Sequence, residues 1–336
     1  MAAFAHSVPC WVDVQLPDLE AGKRFYGGLF GWTFRAGDGP YADAFSEGKL
    51  VAALAAKQDG RMPTAWGIYF ATDDITATVA RIREAGGQVI TDPIRAGRAG
   101  ALAQAADPGG AVFGLWQAGD REGFQKHHEP GSFCWTEVYT RQEDRVDAFY
   151  EEVFGFQGTD LGGTGAEDSG ADEAGAGGPE QREPGQGKPE RGEPEQREPE
   201  RREPAAAETG AAEAGVTEAG VTEAGPGGAE QGGPRAAESG ADFRMWSPAG
   251  TEPGPDTAIG GRSVITDAFP AEMPSYFLSY FAVEDCNTTA GHAVRLGGRI
   301  SAPPFDIPYG RMAVLQDDQG AVFAVLQPAV SEKGAE

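Results

Sequence analysis

The chain has 336 residues, enough for about two domains at ~150 residues each, and carries a formal net charge of −25. That charge argues against unaided binding to nucleic acid or to an anionic membrane. No apolar run nears the ~20 residues of a spanning helix, residues 1–9 do not read as a secretion signal, and the odd count of three cysteines lacks zinc-like spacing, so a reduced, cytoplasmic setting is expected.

Residues 10–16 alternate in polarity and stop at Pro17, which reads as a strand. Asp18 is an N-cap candidate, and Phe25, Leu29 and Phe30 mark one face of a helix ending near Gly31. Short strands are expected at 41–46 and 49–55, then a longer one at 66–71 leading to Asp74. Ile75, Val79 and Ile82 fall at helical spacing, and Gly86-Gly87 ends that helix. Strands near 88–91, 100–106 and 111–117 follow. Residues 120–130 read as a linker, and its His127-His128 pair reads as solvated rather than ligating, because adjacent side chains do not converge on one face.

The pattern then repeats. Cys10, Trp11, Phe25, Tyr26, Phe30 and Gly31 recur as Cys134, Trp135, Phe149, Tyr150, Phe154 and Gly155, all at an offset of 124. Thr140 and Glu143 have capping-box spacing before the second helix. Further on, Tyr69-Phe70-Ala71 with Asp74 answers Tyr280-Phe281-Ala282 with Asp285, at an offset of 211. Gly110 to Phe113 answers Gly320 to Phe323 at 210. The jump of 87 nearly equals the length of a compositionally odd segment, 158–240, which has no Phe, Trp, Tyr, Ile or Met. That segment holds 19 acidic and 7 basic residues and repeats Arg-Glu-Pro and Val-Thr-Glu-Ala-Gly. With so little to bury it cannot offset the ~1–2 kcal/mol per residue of backbone ordering, so a disordered acidic insert is expected. The chain is therefore expected to hold two copies, 8–119 and 131–328, the second interrupted by 158–240.

The strand-Pro-Asp-helix-Phe-Tyr-x-x-Leu-Phe-Gly run at 12–31, its copy at 136–155, and Gly310-Arg-Met-Ala-Val-Leu-x-Asp317 followed by Gly320-Ala-Val-Phe resemble the vicinal-oxygen-chelate superfamily of glyoxalases, bleomycin-resistance proteins and dioxygenases. The likeness extends to tandem glyoxalase-like "hydroxylase" proteins of actinobacteria, some tied to secondary metabolism. It implies an α+β fold of two glyoxalase-like domains built from four βαβββ modules with curved mixed sheets. The superfamily's metal enzymes carry ligands on the first, fifth and eighth strands of a domain. Those positions fall on Trp11, near Gly67 and on Gly114 in the first copy, and on Trp135, near Leu278 and on Ala324 in the second. None of these side chains can hold a divalent metal, which needs N, O or S donors.

Strand alternation places Trp11, Asp13 and Gln15 on one face, and Trp135, Glu137 and Tyr139 on the equivalent one. Tyr69, Trp116 and Tyr280 are expected to join them as ligand-binding residues. Asp13 and Glu137 are the candidate catalytic pair, as general bases or as partners for a cationic ligand. Arg311 is a further candidate, as their partner or toward the ligand. The competing reading has the aromatics as plain core and the carboxylates as structurally satisfied groups. Cys10 and Cys134 should face the helix as buried small hydrophobes.

Four functions follow. The first is a metal-independent binding protein or enzyme holding an aromatic or carbonyl compound between Trp11 and Trp135. The second sequesters a cationic, planar drug. The third is a lyase, isomerase or dioxygenase with carboxylates as unorthodox metal ligands. The fourth is a scaffold acting through the acidic insert. No cofactor is expected, a divalent metal stays open, and the expected partner is a small organic molecule bound by a monomer or homodimer.

Overall fold

A computed structural model describes residues 4–37, 40–60, 62–161 and 243–329. The acidic insert lies outside the described residues, apart from its first positions: Gly158–Asp160 are strand, so the expected boundary at 158 comes too early.

Each half contributes one mixed eight-stranded sheet. The first contains β1 (Pro9–Leu16), β2 (Thr33–Ala36), β3 (Tyr41–Ser46), β4 (Lys49–Ala56), β5 (Trp66–Ala71), β6 (Gln88–Ala96), β7 (Gly100–Ala106) and β8 (Val112–Ala118). Its helices are α1 (Leu19–Phe30) and α2 (Ile75–Glu84). The second contains β9 (Phe133–Thr140), β10 (Gln157–Asp160), β11 (Phe243–Ser247), β12 (Gly260–Val264), β13 (Tyr276–Ala282), β14 (Arg299–Ile307), β15 (Gly310–Gln316) and β16 (Val322–Pro328), with α3 (Glu143–Phe154) and α4 (Cys286–Arg295). The strand orders, β2-β3-β4-β1-β5-β8-β7-β6 and β10-β11-β12-β9-β13-β16-β15-β14, correspond strand for strand. The chain is thus four βαβββ modules. The short edge strands β2 and β10 carry too little alternation to be legible beforehand.

Local signals act as their chemistry requires. Asp18, Asp74 and Asp285 each accept a backbone N–H from the residue three positions on, capping α1, α2 and α4. Gly31 and Gly155 end α1 and α3 at φ +71°, a left-handed conformation that costs glycine least. The expected capping box at α3 does not form. The helix starts at Glu143, too late for its side chain to reach back, and Thr140 Oγ1 instead accepts the Gln142 N–H.

A continuous core joins the sheets. Phe25, Tyr26 and Phe30 of α1 lie against Phe281 and Phe323 of the second sheet. Phe149, Tyr150 and Phe154 of α3 lie reciprocally against Phe70 and Phe113 of the first. Each of these rings that is fully buried contributes roughly 2–3 kcal/mol, and the half-buried Phe30 contributes less. Two matching polar contacts tie this layer. Tyr26 donates to Asp317 at 2.9 Å and Tyr150 donates to Asp107 at 3.1 Å. The other oxygen of each Asp accepts two backbone N–H groups of its own turn. With this layer filling one face of each sheet, the opposite faces remain for the candidate site.

Candidate functional site

In the first sheet β1 pairs with β4 and β5, which sets Asp13 beside Ala53 and Gly67, and Trp11 beside Tyr69. The resulting small cleft, partly open to solvent, is lined by Trp11, Asp13, Tyr41, Tyr69, Trp116 and Arg121, with smaller residues between them. Asp13, only 6% exposed, accepts a hydrogen bond from the Tyr69 phenol at 3.0 Å and another from Tyr41. Burial pushes its carboxyl up to about 7, with the two phenols opposing the shift. Burial and the nearby carboxylate push Tyr41 up to about 12 and raise Tyr69 well above its ordinary value. Both phenols therefore stay protonated and remain donors near neutral pH.

The chain between the copies closes the cleft. Arg121 sits with its guanidinium 5.4 Å from the centre of the Trp11 ring and donates to both Asp43 oxygens, at 2.9 and 2.7 Å. Its carbonyl accepts the Trp116 indole N–H at 2.9 Å. Phe124 packs on Trp11 with centroids 5.8 Å apart. Arg121, Asp43 and Tyr41 escaped the sequence reading. Arg121 lies in the linker, outside any periodic pattern, and Tyr41 is the first residue of a short strand.

The positions of the superfamily's metal ligands can be tested here. Gly67 and Gly114 lie on the strands that flank Asp13 and Tyr69. A Cβ on Gly67 would come within 2.9 Å of Asp13 Oδ1, and one on Gly114 would collide with the Tyr69 ring. The carboxyl and phenol occupy the space that two ligand side chains would need. Trp11, the third position, offers a ring already packed between neighbours. These residues do not fit a divalent metal, and among the described residues no group of three or more His, Cys, Asp or Glu is placed to hold one.

On the equivalent face of the second sheet Glu137 and Trp135 are half-buried, and the carboxyl meets more donors. Glu137 accepts from the Trp135 indole at 3.1 Å, from Ser263 at 3.2 Å, and from the phenols of Tyr280 and Tyr139. Burial raises its carboxyl, and these four donors oppose the shift. Tyr139 stacks on Tyr276 at 5.1 Å and meets Phe269 at 6.1 Å. Leu278, Met312 and Ala324 complete this cluster, with Met273 against it. Arg141 holds the segment that carries Phe269 by donating to the carbonyls of Ile265, Thr266 and Pro270.

The expected residues thus divide. Trp11, Asp13, Tyr69 and Trp116 meet in the first cleft, whereas Trp135, Glu137, Tyr139 and Tyr280 meet on the other sheet. Trp11 lines the first cleft, and Trp135 packs with the cluster of the second sheet. Gln15 lies one step along β1 from Asp13 and does not line the cleft. Arg311 serves neither carboxylate: it pairs with Asp306 at 2.7 Å and bonds Asn287. Cys10 and Cys134 are buried thiols donating to the carbonyls of Tyr69 and Tyr280. His127 rests against Phe4 and Phe124.

Four βαβββ modules in two sheets, with a polar centre on the first strand of each copy, define a tandem vicinal-oxygen-chelate protein. Residues 9–115 match the family described as the Glyoxalase/Bleomycin resistance protein/Dioxygenase superfamily. Over 335 residues, and 97% of both chains, the protein is 30% identical to CFP32 of Mycobacterium tuberculosis, provisionally named a glyoxylase. It is also 30% identical over 345 residues to the anthracycline biosynthesis protein DnrV of Streptomyces peucetius, covering 97% of this chain and 95% of that one. The chain belongs to the glyoxalase, bleomycin-resistance and dioxygenase superfamily. In fold it is similar to the Mn(II)-bound glyoxalase of Novosphingobium aromaticivorans, with a TM-score of 0.53 at 13% identity over 96% of this chain and 82% of that one. No described helix is long and apolar enough to cross a membrane.

Proposed function

We propose that the first-copy cleft binds a planar aromatic or carbonyl compound of specialised metabolism and that Asp13 moves a proton at it without a metal. One observation carries this reading: a buried carboxyl at the cleft wall, held by two phenols, with its pKa raised to about 7. A group poised there accepts a proton readily near neutral pH and returns it, as general acid–base catalysis requires. The apolar walls around it suit a small ring system. The kinship with an anthracycline biosynthesis protein supports a polycyclic, oxygenated ligand. The colliding positions at Gly67 and Gly114 support metal independence.

Titration of tryptophan fluorescence with anthraquinone tests this on protein stripped by chelator. Quenching that survives chelation and is lost in Trp116→Ala supports the proposal. Absent quenching, or quenching restored only by Mn, Fe, Ni or Zn, contradicts it. Against an aromatic ketone with an exchangeable proton beside its carbonyl, Asp13→Asn should slow proton exchange by about 10²–10⁴-fold, the usual worth of a positioned base.

A further inference from the structure

The proposed proton transfer leaves negative charge on the ligand, and the cleft contains a cation placed to meet it. Arg121 is the cleft-lining cation, and it comes from the chain between the copies rather than from a βαβββ module. Its contacts include the Asp43 bidentate pair, the Trp116 indole on its carbonyl and the Trp11 ring beneath its guanidinium. Backbone bonds from Gly119 and Arg121 to Ala99, and from Asp120 to Arg98, hold its segment against the β6–β7 turn. Its side chain is 22% exposed and that of Asp43 is 11% exposed, so the pair works in a partly desolvated place, where charge acts more strongly than in bulk water. The position 210 residues on is Ser331, so the second copy's sequence offers no such cation.

We propose that Arg121 stabilises an oxyanion on the bound ligand, which restricts substrates of the first cleft to weakly acidic oxygenated aromatics: phenols and enolisable ketones. The proposal rests on the binding reading given above. In the step, the substrate's O–H, or the C–H beside its carbonyl, breaks, and the proton goes to an Asp13 oxygen. The electron pair stays on the substrate as phenolate or enolate oxygen. Negative charge passes from Asp13 to that oxygen, no electrons leave the system, and no oxidant is needed. Asp43 tempers the device. Its carboxylate offsets part of the guanidinium's field, so Arg121 favours an anion without binding one indiscriminately. Among the described residues, the titratable groups facing a ligand there are Asp13, Tyr41, Tyr69 and Arg121, with Asp43 behind.

The test uses the full chain and two probes. Anthraquinone, which has no hydroxyl, reports binding alone through tryptophan quenching. 1,2-Dihydroxyanthraquinone reports ionisation through its visible spectrum. Bound to the wild type, its phenol should ionise at least one pH unit lower than free in buffer, a tenfold gain in acid dissociation. Arg121→Met should abolish that shift, Arg121→Lys should keep part of it, and Asp43→Asn should enlarge it. Opposite effects at the two ends of one ion pair separate a charge role from a structural one, which would weaken both alike. If Arg121→Met fails to fold, by the near-ultraviolet dichroism of its indoles, Arg121→Lys and Asp43→Asn carry the test. Anthraquinone binding with an unshifted phenol, or a smaller shift in Asp43→Asn, overturns the role of Arg121 and leaves the binding reading standing. Failure of both probes to bind removes the binding reading and this inference with it.

Discussion

Asp13 and Glu137 stand at the same position of the two copies, yet Asp13 is buried at the wall of a cleft with two phenols beside it, while Glu137 is half-buried among a denser set of donors. Around Asp13 the neighbours are two phenols and small residues, Ala53, Ala96, Ala99 and Gly123. Around Glu137 an indole, a hydroxyl and two phenols converge, and Phe269 and Met273 pack against the same cluster. The β-ladders show how few changes separate the two. Strand register makes Ser263 the counterpart of Ala55, and Phe243 the counterpart of Tyr41. By sequence offset Leu326 answers Trp116 and Met312 answers Leu102. A carboxylate with one more methylene meets more donors, and Leu326 and Met312 stand where Trp116 and Leu102 line the first cleft. A duplicated site has kept its polar centre in both copies while the side chains around it have changed.

The largest expected effect concerns the charge of Asp13. Its folded-state carboxyl is raised from 3.8 to about 7, so its contribution to stability is full below the unfolded value and is lost as pH rises through the folded one. The shift of about three units corresponds to roughly 4 kcal/mol. Denaturant melts of wild type and Asp13→Asn should therefore show the wild type losing ground by several kcal/mol between about pH 4 and about pH 8. Parallel curves would mean that Asp13 is solvated and not the buried group described. Asp107, Asp317 and Glu137 are raised too, so the whole protein should be more stable in mild acid than at pH 8.

Next comes Glu137→Leu, which strands the donors of Trp135, Ser263, Tyr139 and Tyr280 and should cost about 3 kcal/mol, while Glu137→Gln should cost far less. Equal costs for the two variants would show that the four donors are not satisfied by this carboxyl. Phe269→Ala should cost about 2 kcal/mol, less than a full core ring because Phe269 is only partly buried. It should also give anthraquinone a second, weaker site; an unchanged count would mean that Phe269 does not keep the ligand from that face. Tyr26→Phe should cost about 2 kcal/mol, because the Tyr26 hydroxyl both donates to Asp317 and accepts the buried Trp66 indole N–H at 3.0 Å. Smallest is Tyr150→Phe, about 1 kcal/mol, which loses the bond to Asp107. Equal losses would mean that the Trp66 indole does not depend on the Tyr26 hydroxyl.

Much of this fold was legible in the sequence because duplication is written in fixed offsets. Trp11, Tyr26 and Phe30 repeat without a gap, and the acidic segment accounts for the change of offset later on. Alternation along β1 and β9 correctly put each Trp and its carboxylate on one face. It could not tell that the two faces differ in their neighbours, since those of the second include the segment 265–273, whose Phe269 belongs to no periodic pattern. Arg121 stayed hidden for a related reason: a linker residue is placed by tertiary contacts with Asp43 and Trp116, which no local spacing encodes. Arg311 misled in the other direction, because Asp306, five residues away on the adjacent strand, outcompetes any distant carboxylate.

The central claim is that each chain has one working cleft, in its first half, and that this cleft needs no metal. Isothermal titration with anthraquinone on chelator-treated protein tests it most directly, run on the wild type, Trp116→Ala and Glu137→Gln. The expected result is one equivalent bound per chain, lost in Trp116→Ala and unchanged in Glu137→Gln. Two equivalents per chain, binding that requires added metal, or loss of binding in Glu137→Gln would contradict it.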